Sequence, residues 1–180
     1  MLRPVPLMER LPSLACLALI LSLGSPAFGA DPGKAPEKVD LPPLAKGDAV
    51  LDIATVKGVQ SYDLATIEEI GVYRLTTTSP FEDGDLAFEG VLLADLLAKE
   101  GIAEASGVEL SAIDGYSHVL PREDWTTYPV LLATRQDGEP LSDLGPLRII
   151  YPISSHPELA DELYEARWVW ALNSIKAVDR

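Results

Sequence analysis

Short runs of β-branched and aromatic residues recur from residue 49 to the end of the chain, and most are closed by Gly, Pro or an Asp-Gly pair. Such runs are typical of strands and such closures are typical of turns. Between them lie short segments with leucines at helical spacing, of which residues 92–100 are the clearest. Because strands and helices do not alternate in a regular βαβ rhythm, the pattern predicts a single α+β domain: a mixed sheet with short helices.

The element boundaries follow from the same pattern. Asp114-Gly115 lies between two apolar runs and is a strong signal for a β-hairpin. The predicted strands cover residues 49–56, 72–78, 86–91, 108–113, 116–120, 130–135, 147–151 and 167–177. The predicted helices cover residues 64–70, 92–100 and 156–165, with one more beginning at Pro121. A chain of 180 residues is long enough to bury one core without disulfides or metals.

The first thirty residues have the three parts of a secretory signal peptide. Arg3 and Arg10 form a short basic region, residues 11–23 form an apolar run, and small residues precede Asp31. The rival interpretation is a membrane anchor, but a spanning helix needs about 20 apolar residues and this run is shorter. We therefore expect a periplasmic or secreted protein, cleaved near Gly29 or Ala30.

Residues 31–47 are rich in Pro and charged side chains, which predicts a flexible leader before a folded domain at residues 48–180. The chain is strongly acidic, with 14 Lys and Arg against 28 Asp and Glu. Such a chain repels phosphate backbones, so we expect no nucleic-acid partner. The acidic surface suits docking onto a basic partner, and it suits simple solubility equally well.

The sequence lacks the common motifs of catalysis and metal binding. The one cysteine, Cys16, lies in the predicted signal peptide, so the exported chain would offer no thiolate to a substrate or a metal. His118 and His156 are far apart in sequence and form no helical HxxxH pair. No nucleophile elbow and no phosphate-binding glycine loop is present. We expect no metal and no catalytic residue.

Several motifs taken in order resemble the molybdopterin-binding domain of the sulfite-oxidase-like oxidoreductases, and most of all its short, exported, stand-alone members. The resemblance covers about Val50 to Val178 and implies the fold of that domain. The motifs are TTTSPF (76–81), GVLLADLL (90–97), DGY (114–116), LLATRQDGEPL (131–141), GPLRIIYP (145–152) and YEARWVWALNSI (164–175).

Two departures from that family bear on the ligand. The resemblance implies that catalytic members bind molybdenum through a cysteine just after the strand at residues 72–78, where this chain has only Thr, Ser79 and Pro80. A hydroxyl is a poor substitute for thiolate sulfur. Larger members also hold the cofactor phosphate with a Lys-Trp pair, where this chain has Val-Trp-Ala at residues 169–171. A pterin without metal therefore suits the sequence better than the complete molybdopterin cofactor.

Nine residues are candidates for binding such a pterin. Phe81, Tyr116, Tyr151 and Trp170 offer aromatic faces for stacking. Asp114 would accept hydrogen bonds from the guanidine-like ring edge, and Arg148 or Arg167 would donate to a ring carbonyl. Thr77 and Thr78 offer hydroxyls.

Each of these candidates has an ordinary structural alternative. The aromatic residues also suit a core, and Asp114 also suits the Asp-Gly turn. Arg167 would equally pair with Glu165 or Asp161, and threonines are common in any strand.

Two functions remain open on the sequence. The first is an exported, non-catalytic pterin-binding protein. The resemblance extends this to a receptor that regulates a membrane-bound cyclic-di-GMP enzyme through its periplasmic domain. The second is a molybdenum-cofactor oxidoreductase or a subunit of one. A scaffold with an empty pocket is a third possibility.

Overall fold

A computed structural model describes residues 33–141 and 145–178. The predicted signal peptide and its cleavage site near Gly29 or Ala30 lie outside the described residues. Within the described ranges, no helix is long and apolar enough to cross a membrane. The strands are β1 Glu37–Lys38, β2 Leu51–Thr55, β3 Gly58–Tyr62, β4 Tyr73–Thr78, β5 Asp85–Leu92, β6 Gly107–Ala112, β7 Ser117–Pro121, β8 Leu131–Gln136, β9 Glu139–Pro140, β10 Arg148–Ile150 and β11 Leu172–Val178. The helices are α1 Leu64–Glu68, α2 Leu93–Lys99, α3 Arg122–Thr127 and α4 Glu162–Glu165.

The described strands form two sheets. The first has the order β1-β4-β5-β8-β10, with β9 paired to β8, and its pairs are antiparallel. The second has the order β3-β2-β11-β6-β7 and is mixed, because β11 runs parallel to β2 and antiparallel to β6. The predicted α+β class, with a mixed sheet and short helices, is confirmed.

The two sheets share one hydrophobic core. Buried and exposed side chains alternate along β2, and the buried ones belong to this core. In β2, Leu51 and Ile53 are buried while Asp52 between them is exposed. In α2, Leu93, Leu96 and Leu97 point into the same core. The predicted hairpin at Asp114-Gly115 is confirmed as the turn between β6 and β7.

Within the predicted leader, residues 37–42 contact the first sheet. β1 pairs with the edge of β4, where Glu37 lies opposite Arg74 and Lys38 opposite Tyr73. Further along, the Pro42 carbonyl accepts a hydrogen bond of 2.8 Å from the buried guanidinium of Arg135. A Pro-rich composition predicts an extended chain, and an extended chain also fits an open sheet edge.

Three element predictions need correction. β3 was not predicted, because four of its five residues are exposed and leave no apolar alternation. The helix predicted over residues 156–165 divides into a 3-10 turn, Pro157–Leu159, and α4, whose N-terminus is capped by Asp161. The strand predicted over residues 167–177 begins only at Leu172, because Ala171 has a φ of 51° and interrupts the extended chain.

Candidate functional site

An aromatic cavity of about 670 Å³ lies where α4, the β6–β7 turn, the segment before β11 and the loop after β4 meet. This volume falls within the range of small-molecule sites. We call it the aromatic cavity, and it is lined by Phe81, Asp114, Tyr116, Glu162, Glu165, Ala166, Trp168 and Trp170.

The two indoles reach the cavity because the chain before β11 is not a regular strand. Residues 168–170 run beside β10: the Ile149 N–H donates to the Val169 carbonyl at 2.9 Å, and Trp170 forms a bridge with Arg148. Ala171 then takes its left-handed conformation, and Gly145 packs directly against it. Trp168 and Trp170 both line the cavity.

Phe81 completes the aromatic wall from the other side. Its ring meets Trp170 edge-to-face, with 5.5 Å between centroids, and meets Trp168 at 6.3 Å. Such geometry is favourable for aromatic pairs. The Phe81 side chain is 48% exposed, which is unusual for a large apolar residue with two aromatic partners. A half-exposed ring of this kind offers a surface to a flat ligand.

The β6–β7 turn supplies the next wall. Asp114 Oδ1 accepts a hydrogen bond from the Tyr116 N–H at 2.9 Å, which is the turn role that the sequence left open. The Tyr116 hydroxyl donates to the Ala166 carbonyl at 2.6 Å and thereby joins the turn to the end of α4. Tyr116 is 43% exposed, so its ring remains accessible in the cavity.

The polar lining of the aromatic cavity is acidic. Asp114, Glu162 and Glu165 contribute carboxylates, and none of the described lining residues is Lys or Arg. The indole nitrogens of Trp168 and Trp170 are buried hydrogen-bond donors without a partner among the described residues. An unpaired buried donor is costly to the fold.

Behind the wall lies a buried polar group that anchors the segment carrying the indoles. Arg167 Nη1 donates to both oxygens of Asp124, at 2.7 and 2.9 Å, and the Tyr151 hydroxyl donates to Asp124 Oδ2. Burial and the neighbouring Asp124 charge raise the pKa of Tyr151 far above its usual value, so its hydroxyl stays protonated. Arg167 also lies over the Tyr164 ring, with its guanidinium carbon 4.7 Å from the centroid.

The structure brings four of the nine predicted site residues to the aromatic cavity. Phe81, Asp114, Tyr116 and Trp170 line it. Their role in binding a ligand stays a prediction.

The five other candidates do not line this cavity. Tyr151 is fully buried, so its ring is not available for stacking. Arg167 is engaged by Asp124 rather than by Glu165 or Asp161, and Arg148 lies over the Trp170 ring at 4.1 Å. Burial lowers the pKa of Arg148, and Glu82, 3.8 Å away, opposes that shift.

The two threonines also lie apart from the aromatic cavity. Thr77 is fully buried, donates to the Tyr151 carbonyl and accepts from the Ser154 N–H at 3.1 Å. Thr78 lines a neighbouring cavity of about 260 Å³, which shares Glu162 and Glu165 with the aromatic cavity. Both threonines therefore tie β4 to the segment after β10, which is an ordinary structural role.

Sequence reasoning missed four of the lining residues: Glu162, Glu165, Ala166 and Trp168. The spacing of Trp168 and Trp170 was a usable signal, because two indoles two residues apart are rare in a short strand and point to one face. The two glutamates gave no signal, because a polar helix such as α4 ordinarily faces solvent.

The lining fits a flat heterocycle. Its aromatic walls suit a pterin ring. The catalytic members that the chain resembles bind molybdenum through a cysteine, and this sequence has no cysteine after Cys16. Among the described residues, no three His, Cys, Asp or Glu side chains are grouped so that they would hold a metal ion.

Comparison with known proteins agrees with the resemblance stated above. The family model described as the oxidoreductase molybdopterin binding domain matches residues 73–179. That range includes the aromatic cavity and more than half of the chain. No curated protein matches the chain significantly.

Proposed function

The chain belongs to the oxidoreductase molybdopterin binding domain family, and we propose that it is an exported, non-catalytic member that binds a pterin in the aromatic cavity. One observation carries the proposal: Phe81, Tyr116, Trp168 and Trp170 wall a cavity of about 670 Å³ in a chain without a cysteine after residue 16. The binding surface for a ring is retained, whereas the sulfur ligand for the metal is missing.

Direct titration tests the binding. Adding 6-hydroxymethylpterin to the purified protein should quench tryptophan fluorescence saturably, because two of the three tryptophans line the cavity. Phe81→Ala and Tyr116→Ala should each weaken binding by about 1–2 kcal/mol through lost stacking, and Trp170→Ala should abolish it. Val119→Ala removes an exposed apolar side chain of β7 outside the cavity and serves as the control.

Analysis of the purified protein separates this function from the alternatives. A pterin released on denaturation, without molybdenum in elemental analysis, supports the non-catalytic proposal. Stoichiometric molybdenum would instead support an oxidoreductase or a subunit of one. Protein that carries no ligand and binds no pterin would support a scaffold with an empty pocket.

The proposal extends to signalling. Short members of this family that the chain resembles serve as periplasmic pterin receptors for membrane-bound cyclic-di-GMP enzymes. Four large apolar side chains that are at least 43% exposed, Phe81, Ile113, Tyr116 and Leu163, lie in or beside the segments that line the cavity. A partner at this rim would sense whether the cavity is occupied. Cellular cyclic-di-GMP should respond to added pterin only in cells with the intact protein, and not in cells with Trp170→Ala.

Export is tested separately by the mass of the mature protein. Cleavage of the predicted signal peptide after Gly29 or Ala30 should leave a chain that begins at Ala30 or Asp31, and this chain should be found in the periplasmic or secreted fraction. An intact chain in the cytoplasmic fraction would contradict export without bearing on pterin binding.

A further inference from the structure

We propose that the aromatic cavity selects uncharged pterins and rejects pterins with an anionic substituent, and that Glu162 and Glu165 provide this selection. The inference rests on the proposed function and adds the charge class of the ligand.

The first observation is the sign of the charge in the cavity. Its three carboxylate-bearing lining residues are Asp114, Glu162 and Glu165, and none of the described lining residues is basic. A phosphate or carboxylate on the ligand would approach three like charges at short range. Like charges repel even in a partly solvated site, and low salt strengthens the effect.

The second observation is that the nearest guanidinium groups are already engaged. Arg167 donates to both Asp124 oxygens behind the wall, and its side chain is only 12% exposed. Arg148 lies over the Trp170 ring and also faces Glu82 and Gln136. Neither lines the cavity, so neither provides an ion pair for an anionic substituent there.

The third observation is that the carboxylates of the cavity suit a neutral pterin as hydrogen-bond acceptors. Asp114 already accepts a backbone N–H in its turn, whereas Glu162 and Glu165 contribute side-chain carboxylates to the cavity lining. The amino group and the adjacent ring N–H of a pterin form a two-donor edge that matches one carboxylate.

Two probes with the same ring test the selection: 6-hydroxymethylpterin, which is neutral at pH 7, and pterin-6-carboxylate, which is anionic. In low salt we expect the neutral probe to bind about 10- to 100-fold more tightly, as two or three carboxylates at short range predict. In 0.5 M NaCl the ratio should fall toward one. The double variant Glu162→Gln, Glu165→Gln should reduce the ratio in low salt.

The matched control is Asp48→Asn, Glu123→Gln, which changes the net charge equally at two exposed positions outside the cavity. Its ratio should equal that of the unmodified protein. Equal affinity for both probes in low salt, or a ratio that Glu162→Gln, Glu165→Gln leaves unchanged, would overturn the selection while pterin binding stands. Failure of both probes to bind would overturn the proposed function and this inference together.

Discussion

Replacing Asp124 by Ala should be among the most destabilising single changes in this protein. Asp124 is 2% exposed and accepts hydrogen bonds from Arg167 and from the fully buried Tyr151 hydroxyl. The change would leave a guanidinium that is only 12% exposed without its counter-charge. Removal of one partner from a buried pair costs about 3–5 kcal/mol. For a domain of this size, that corresponds to a fall in Tm of roughly 10–15 °C.

Urea unfolding followed by tryptophan fluorescence measures this cost. Glu123→Ala is the matched control, because Glu123 is the preceding residue of α3 and is exposed. It should change the free energy of unfolding by less than about 1 kcal/mol. Tyr151→Phe keeps the ion pair and removes one hydrogen bond to a charged group, so it should cost about 1.5–3 kcal/mol.

A double variant tests whether the cost comes from the unpaired charge. Asp124→Ala combined with Arg167→Met removes both charges, and it should be less destabilised than the sum of the two single variants by at least about 1 kcal/mol. A loss below about 1 kcal/mol for Asp124→Ala, or strict additivity in the double variant, would refute the reasoning.

Three further predictions concern other parts of the fold. Burial, with a contribution from Arg167, lowers the pKa of His118 below its usual 6.5, so the unfolded chain takes up the proton first. The free energy of unfolding should therefore fall as the pH drops below about 6.5, and it should level off below the pKa of His118 in the folded protein. In His118→Gln, the urea midpoint should depend less on pH between pH 7.5 and 5.5. An unchanged pH dependence in this variant would show that His118 is not its source. A Cβ on Gly90 would lie 2.1 Å from the Leu132 carbonyl oxygen of the neighbouring strand. Gly90→Ala should therefore lower the free energy of unfolding, measured in urea, by more than about 3 kcal/mol. A loss under about 1 kcal/mol would contradict this prediction. Gly145 has a φ of 119° and packs against Ala171, so Gly145→Ala should displace the indole segment and weaken pterin binding in fluorescence titration; unchanged affinity would mean that the wall tolerates the shift.

Local sequence patterns predicted the fold class and a large part of the order of strands and helices. The alternation of Leu51 and Ile53 with Asp52, and the leucines of α2, identify the buried faces without any knowledge of the partner strands. The Asp114-Gly115 turn likewise follows from residues next to each other. The match of the family model to residues 73–179 agrees with a resemblance visible in the motifs themselves.

The lining of the cavity was only partly predictable. Phe81, Tyr116 and Trp170 were recognised as aromatic candidates that line the cavity, but the candidate Tyr151 lies in the core, and Trp168, which was not a candidate, lines the cavity. The residue types do not decide this, because tyrosine and tryptophan suit both a core and a binding surface. The bend at Ala171, with its φ of 51°, contributes to where the indoles lie.

By itself, the sequence determined the α+β class, the acidic charge, the family and the absence of cysteine after residue 16, because each depends on composition or on neighbours along the chain. Only the tertiary structure decided which oppositely charged side chains pair with each other. Arg167 meets Asp124 across 43 residues, and Arg135 meets Glu68 across 67. Such pairs form where packing excludes water from two distant segments at once, and neither segment's own sequence records the position of the other.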